Sequence, residues 1–427
     1  MKTLTSLAFS AALTLAGLAP AQDWTSWRGP NGDGSAPNAD VPLEWSDTKN
    51  VAWKTPIPGE GYSTPVFTDD YIILTTSIDT GEKPRVGSQN VYTFHVIALD
   101  RETGAIAWNT MVKEEVPHAG THATNVQASC SAAIDGDRIY ANFGSRGIFC
   151  LDMLGEVQWE RDLGNMNIVL NFGEGASAAV ADGVVVVPWD HQGESVYYGL
   201  DAATGETRWR NARPREASNW STPVVTVVGG SKQVVAAGWR NTFGYDLQTG
   251  REIWKGPGLT RNTIPVPIIK DGIAYMTAGF QGNEMLAIDL TKARGAFGKD
   301  SDAVLWSYGR VTPYVPSPTI VGDDIYFLRS YNAAISSVNI NTGEPNYRAK
   351  RIPEVGNVYA SLMSIGNEHI LVACREGKTA IVKAGDDFEL VRINELSEGI
   401  NATPVAIGNR LYIRTTGHLY CFSKEGA

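Results

Sequence analysis

Leu200-Asp201-Ala202-Ala203-Thr204-Gly205-Glu206-Thr207-Arg208-Trp209 sets a frame that recurs along the whole chain. It returns as Leu99-Asp100-Arg101-Glu102-Thr103-Gly104-Ala105-Ile106-Ala107-Trp108 and as Asp246-Leu247-Gln248-Thr249-Gly250-Arg251-Glu252-Ile253-Trp254. Weaker copies lie between: 152–159 is one residue shorter, 339–347 ends in Tyr347, and 289–306 carries an insertion before Trp306. Each copy reads as strand, tight turn, strand. An apolar residue and Asp end the first strand, Thr-Gly supplies a position of positive φ, and an aromatic anchors the second. A repeat of this kind decides the fold before any single residue does.

Outward from the frame, each unit opens on a Ser/Thr/Pro-rich strand. Examples are Ser63-Thr64-Pro65-Val66-Phe67, Ser129-Cys130-Ser131-Ala132-Ala133, Ser221-Thr222-Pro223-Val224-Val225 and Ala402-Thr403-Pro404-Val405-Ala406. A turn such as Asp135-Gly136-Asp137 follows, then an apolar second strand such as Arg138-Ile139-Tyr140-Ala141. Four short antiparallel strands every 40 to 55 residues or so predict an all-β, eight-bladed β-propeller of four-stranded antiparallel blades. The last unit ends after Leu419-Tyr420-Cys421-Phe422 without a fourth strand, whereas Asn50-Val51-Ala52-Trp53-Lys54 has a fourth-strand Trp and nothing before it to pair with. Pairing this N-terminal strand with the C-terminal blade closes the ring and leaves no open edge.

Three segments result. Residues 1–21 read as a signal peptide: Met1-Lys2, an apolar run from Leu4 to Leu18, and Ala19-Pro20-Ala21 at the cleavage site. Residues 22–50 form an irregular N-terminal extension, expected on the outside of the main body, and residues 51–427 form the propeller. The expected product is periplasmic or secreted, with no membrane span. No Cys follows the cleavage site, so a lipid anchor is not expected. A net charge of −10 argues against nucleic acid and against an anionic membrane surface as partners. The chain is read as a monomer.

The four cysteines permit two disulfides in an exported protein. Cys130 and Cys150 are placed on the first and third strands of one unit, about 9.5 Å apart, beyond the roughly 7 Å a bridge allows. Free thiols are expected there, with Cys374 and Cys421 open.

The repeat L-D-x-x-T-G-x-x-x-W resembles that of the PQQ-like, or quinoprotein dehydrogenase-like, eight-bladed propellers over about residues 51–423. The resemblance implies that Trp53, Trp108, Trp159, Trp209, Trp254 and Trp306 dock between adjacent blades, and that the Gly turn lets the blades approach. It also raises a quinone-dependent oxidoreductase using PQQ with calcium in the central funnel. The vicinal Cys-Cys pair and the Cys-x-x-Cys-His haem segment of such enzymes do not occur in this sequence, so no cofactor is expected. The non-catalytic relative is the propeller of the outer-membrane assembly machinery, which implies a scaffold.

The loops between second and third strands, and those joining successive units, open on one face around the funnel. The Thr-Gly turns lie on the opposite face. Funnel-face loops carry Arg146, Asp190 with His191, Trp239 with Arg240, Arg329 with Tyr331, and Arg375. Inter-blade loops add His118, His122 and Asn125, then Arg261 and Asn262. Guanidinium groups gathered on one face of an acidic protein suit a small anionic ligand or an extracytoplasmic partner's loop through bidentate hydrogen bonds. His118 and His122, with Asp190 and His191, form a conceivable metal set, but no helix fixes their spacing and no metal is expected. No Ser stands in a G-x-S-x-G elbow, and no catalytic residue is assigned.

Overall fold

The computed structural model describes residues 24–84 and 89–425. The signal peptide and its cleavage site at residues 1–21 lie outside the described residues. Eight antiparallel blades occupy residues 66–115, 133–161, 179–212, 224–257, 268–308, 319–351, 363–395 and 405–423, numbered blades 1 to 8. Among the described residues there is no α-helix. Blade 8 contributes three strands from the C-terminus, and Val51–Pro56 supplies its fourth, with Trp53 opposite Cys421 and Pro56 opposite His418. The ring is closed as the unpaired Trp53 strand predicts.

The repeat builds its turn as its residue types dictate. The Asp201 carboxylate accepts the amides of Ala203 and Thr204, Gly205 donates its own amide to Asp201 O at 2.8 Å, and Gly205 sits at φ +74°. Across the blade boundary Trp159 lies flat on that glycine, where an added Cβ would stand 2.7 Å from the ring. The indole Nε1 donates to Ala202 O at 3.0 Å. Trp108 on Gly155, Trp209 on Gly250 and Trp306 on Gly343 repeat the contact, donating to Met153, Leu247 and Ile340 carbonyls. Trp53 lies on Gly104 across the closing seam. Trp254 departs from the pattern because blade 5 replaces the turn with its insertion. That segment returns as Gly295–Ala296 beside Trp254 and Lys255, brings Phe297 to 6.0 Å from the indole, and leaves Nε1 to Gln233 Oε1.

The Ser/Thr-rich opening strands do a second job at the axis. Each of several hydroxyls accepts a backbone N–H from the preceding blade: Ser131 from Thr64, Ser177 from Ser131, Thr222 from Ser177, Ser361 from Ser317, and Thr403 from Ser361. At the seam this link is replaced by Arg414, buried on blade 8, which donates to Ser63 O at 3.2 Å and Thr75 O at 3.0 Å on blade 1. Burial lowers its pKa to about 9, so it remains a cation at neutral pH.

Residues 24–36 are not on the outside, and here the expectation fails. Trp24 O accepts Phe67 N on blade 1, Thr25 O accepts Ile134 N on blade 2, and Gly34 O accepts Ser364 N on blade 7. The buried Arg28 guanidinium donates to Pro318 O at 2.6 Å on blade 6, Leu362 O at 2.9 Å before blade 7, and Asp33 O at 2.7 Å. Ser26 to Gly32 face the opening strands of blades 3, 4 and 5 across a cavity of about 440 Å³. The segment therefore plugs the central channel. Irregular, Gly-rich chain serves this better than a strand, because its carbonyls and one Arg must meet inner strands pointing from all sides; Gly34 at φ +71° leaves room for Arg28. Residues 37–50 then run outward, with Asp40 N on Gly408 O, the Asn394 side chain bridging Leu43 and Trp45, and Asp47 on Ser397 and Tyr420.

All four cysteines are buried and unbonded. Cys150 lies on the third strand of blade 2, as read, but Cys130 precedes the first strand, Ala133–Asp135, and contacts Ala176 O.

The blade contact predicts a contrast between two glycines of similar conformation. Gly205→Ala should cost about 3 kcal/mol, from left-handed strain together with the clash on Trp159. Gly136→Ala, at φ +59° with open space around it, should cost about 1 kcal/mol. Urea unfolding of both variants measures the difference; equal losses would remove the indole contact as the cause.

Candidate functional site

The second-to-third-strand loops and the inter-blade loops do meet at one funnel, a cavity of about 580 Å³ opening away from the Thr-Gly turns. Its floor includes Trp27 of the plug, which also borders the cavity beneath. Of the residues singled out by sequence, His122, Asn125 and Tyr331 line it. His122 pairs through Nδ1 with Thr124 Oγ1 at 2.8 Å, and Asn125 donates to Phe172 O at 2.9 Å. Tyr331 stacks on Tyr359 at 5.6 Å. Asn262, at φ +51°, does not line the cavity, and Arg375 lies 5.0 Å over the Tyr359 ring at the margin.

The remaining candidates are elsewhere. Arg146 is buried, paired with Glu174 at 2.9 Å and hydrogen-bonded to Gln127, so it faces no ligand. Asp190 is also buried, 3.1 Å from Arg213 Nε, with Asn219 on its other oxygen. Arg213 in turn stacks against Tyr197 at 4.3 Å and Phe243 at 4.8 Å. Burial pushes the Asp190 carboxyl up, against the pull of Arg213. His191 accepts the amides of Asn167 and Gly193 on Nδ1, and burial lowers its pKa, so the neutral ring is a loop brace. His118 contacts Met166 O at 2.9 Å. The grouping of His118, His122, Asp190 and His191 is thus not formed, and among the described residues no cluster of His, Cys, Asp or Glu is placed to hold a metal. Arg329 is exposed on its own loop.

The arginines do not converge on the funnel. Arg146 is held in a buried ion pair, Arg329 and Arg375 stand apart from each other, and Arg240 and Arg261 gather on Trp239. Arg240 lies 3.6 Å and Arg261 4.5 Å from the centre of the Trp239 ring. Arg240 also borders an open cavity of about 700 Å³ with Arg215 and Lys255, two cations that the sequence reading passed over. Glu216 accepts the backbone amides of Arg240 and Asn241 and holds that loop in place.

The residues lining the funnel include no Asp, Glu, Lys or Arg. PQQ carries carboxylates that call for cations, and its calcium calls for carboxylate oxygens. The wall supplies neither, so these residues do not fit the group.

If Asp190 serves Arg213, replacing it with Ala leaves a buried, uncompensated guanidinium. The Asp190→Ala variant should lose about 3 to 5 kcal/mol of stability in urea unfolding. An unchanged unfolding curve would show that the buried Arg213 does not depend on Asp190.

The family model described as outer membrane protein assembly factor BamB matches residues 43–187 and 168–295. The protein of that name from Yersinia pestis is 24% identical over 352 residues, covering 77% of this chain and 80% of its own. Among solved structures, BamB from Moraxella catarrhalis is 16% identical with a TM-score of 0.60, covering 87% of this chain and 99% of its own. A europium-containing methanol dehydrogenase is 10% identical with a TM-score of 0.67, covering 94% of this chain and 98% of its own. The quinohaemoprotein alcohol dehydrogenase from Comamonas testosteroni is 12% identical with a TM-score of 0.65, covering 95% and 81%. The solved structures share the fold. Matched by the family model over more than half of its length, the chain belongs to the PQQ-like propeller family described as outer membrane protein assembly factor BamB.

Proposed function

We propose that this propeller is a binding or scaffolding module working outside the cytoplasm, periplasmic or secreted, which takes an acidic partner loop or small anion at the rim of the funnel face. The observation that carries this is the stacking of Arg240 and Arg261 on Trp239, with Arg215 and Lys255 beside Arg240 on one open cavity. Among the described residues none of these cations makes a salt bridge, although the chain has a net charge of −10. Cations left unpaired in an acidic protein concentrate positive potential on one patch and steer an anionic partner to it. Trp239 holds two guanidinium planes by cation–π contact, which orders them for bidentate pairing with carboxylate or phosphate. The relatives named as assembly factors favour a scaffold over a catalyst.

The reading is tested with a fluorescein-labelled octaglutamate peptide at low ionic strength. Arg240→Ala combined with Arg261→Ala should weaken its binding at least tenfold and flatten the salt dependence. Unchanged affinity removes the cluster from function. Incubation with PQQ and Ca²⁺ should leave neither a retained quinone spectrum nor dye-linked alcohol oxidation; either result would replace this reading with the oxidoreductase.

A further inference from the structure

We propose that the funnel is a separate site for an uncharged saccharide. Its walls are aromatic pairs from several blades and inter-blade loops: Phe280 on Tyr314 at 4.8 Å, Tyr331 on Tyr359 at 5.6 Å, and Phe172 beside Trp220 at 6.3 Å. Such faces suit the C–H surface of a pyranose ring. Trp220 Nε1 already donates to Gly173 O at 2.7 Å, so this ring offers a face and the ligand's hydroxyls must be met by other wall groups. At about 580 Å³ the funnel has the size of a small-molecule pocket.

The polar groups on the wall sharpen the class of ligand. Ser131, Ser177, Ser361 and Thr403 each accept a backbone amide from the preceding blade, so their own O–H protons are left to donate into the funnel. Thr64, 1% exposed, has a buried hydroxyl with no protein partner, and Asn401 has a buried carbonyl oxygen in the same condition. Buried polar groups are costly unless paired, and a dense set of donors and acceptors on a ligand would pair them. Acyl chains would leave them unpaired. An anion would meet no cation on this wall and would lose its hydration there. A polyol with apolar faces satisfies both the rings and the hydroxyls.

Titration calorimetry with the full chain tests this, using maltohexaose, cellohexaose, xylohexaose and chitohexaose, with trigalacturonate as the charged control. At least one neutral oligosaccharide should bind saturably and quench Trp fluorescence from Trp27 and Trp220. Tyr331→Ala and Thr64→Val should each weaken it at least tenfold. Thr64→Val should also leave the melting temperature unchanged, since the hydroxyl has no protein partner, whereas the Arg240/Arg261 double variant should bind normally. The proposal falls if no neutral oligosaccharide binds, if affinity survives both funnel variants, or if trigalacturonate alone binds. Binding of short peptides without saccharides would assign the funnel to a partner segment and equally overturn it.

Discussion

At five of the eight boundaries a blade is held to the next by an indole laid on a glycine, and this contact explains why those copies of the repeat keep Gly and Trp while the residues between them vary. The glycine must adopt positive φ and must lack a Cβ, because the Trp ring occupies that space. Around the axis, hydroxyls of the opening strands take amides from their neighbours, so blades 1 to 4 are tied at the outer edge by Trp and at the inner edge by Ser or Thr. The seam between blades 8 and 1 uses different residues for the same two ties, Trp53 outside and Arg414 inside. Loops on the funnel face carry none of this duty and are free to differ.

The eight-bladed fold was legible because the Asp-x-x-Thr-Gly turn and the following Trp are local chemistry repeated at a fixed spacing. Ring closure followed from a surplus strand at one end and a missing strand at the other. The plug was not legible. Residues 24–36 have no periodicity, and their partners on blades 1, 2, 6 and 7 are brought together only by closure of the ring. Of the candidate residues, His122, Asn125 and Tyr331 line the funnel, and the others are dispersed by contacts that no local pattern records. The sequence named Trp239, Arg240 and Arg261, which the structure brings into contact, but charge alone could not separate Arg240 from Arg146, whose partner Glu174 lies in another loop. A usable signal for the funnel wall was present in the register: Tyr62, Trp220, Tyr359 and Asn401 each stand directly before an opening strand or its Ser/Thr motif.

The two surfaces of the funnel face are electrostatically distinct. Cations stand at the rim around blade 4, with Arg240 and Arg261 stacked on Trp239, whereas the cup carries aromatic rings, hydroxyls and amides. That separation is possible because the plug closes the far end of the channel. Without residues 24–36 the funnel would be a tube with no floor, and Trp27 would not stand beneath the aromatic wall.

Closure of the channel by the N-terminal segment is therefore the claim on which the fold and the funnel both rest. Hydrogen exchange of the intact protein, followed by mass spectrometry, tests it most directly. Peptides covering residues 24–36 should exchange slowly, because the carbonyls of Trp24, Thr25 and Gly34 accept amides of blades 1, 2 and 7 and the amides of Gly29, Gly32 and Gly34 are hydrogen-bonded within the held segment. Exchange of that segment at the rate of an unstructured chain, with the blades protected, would contradict the account.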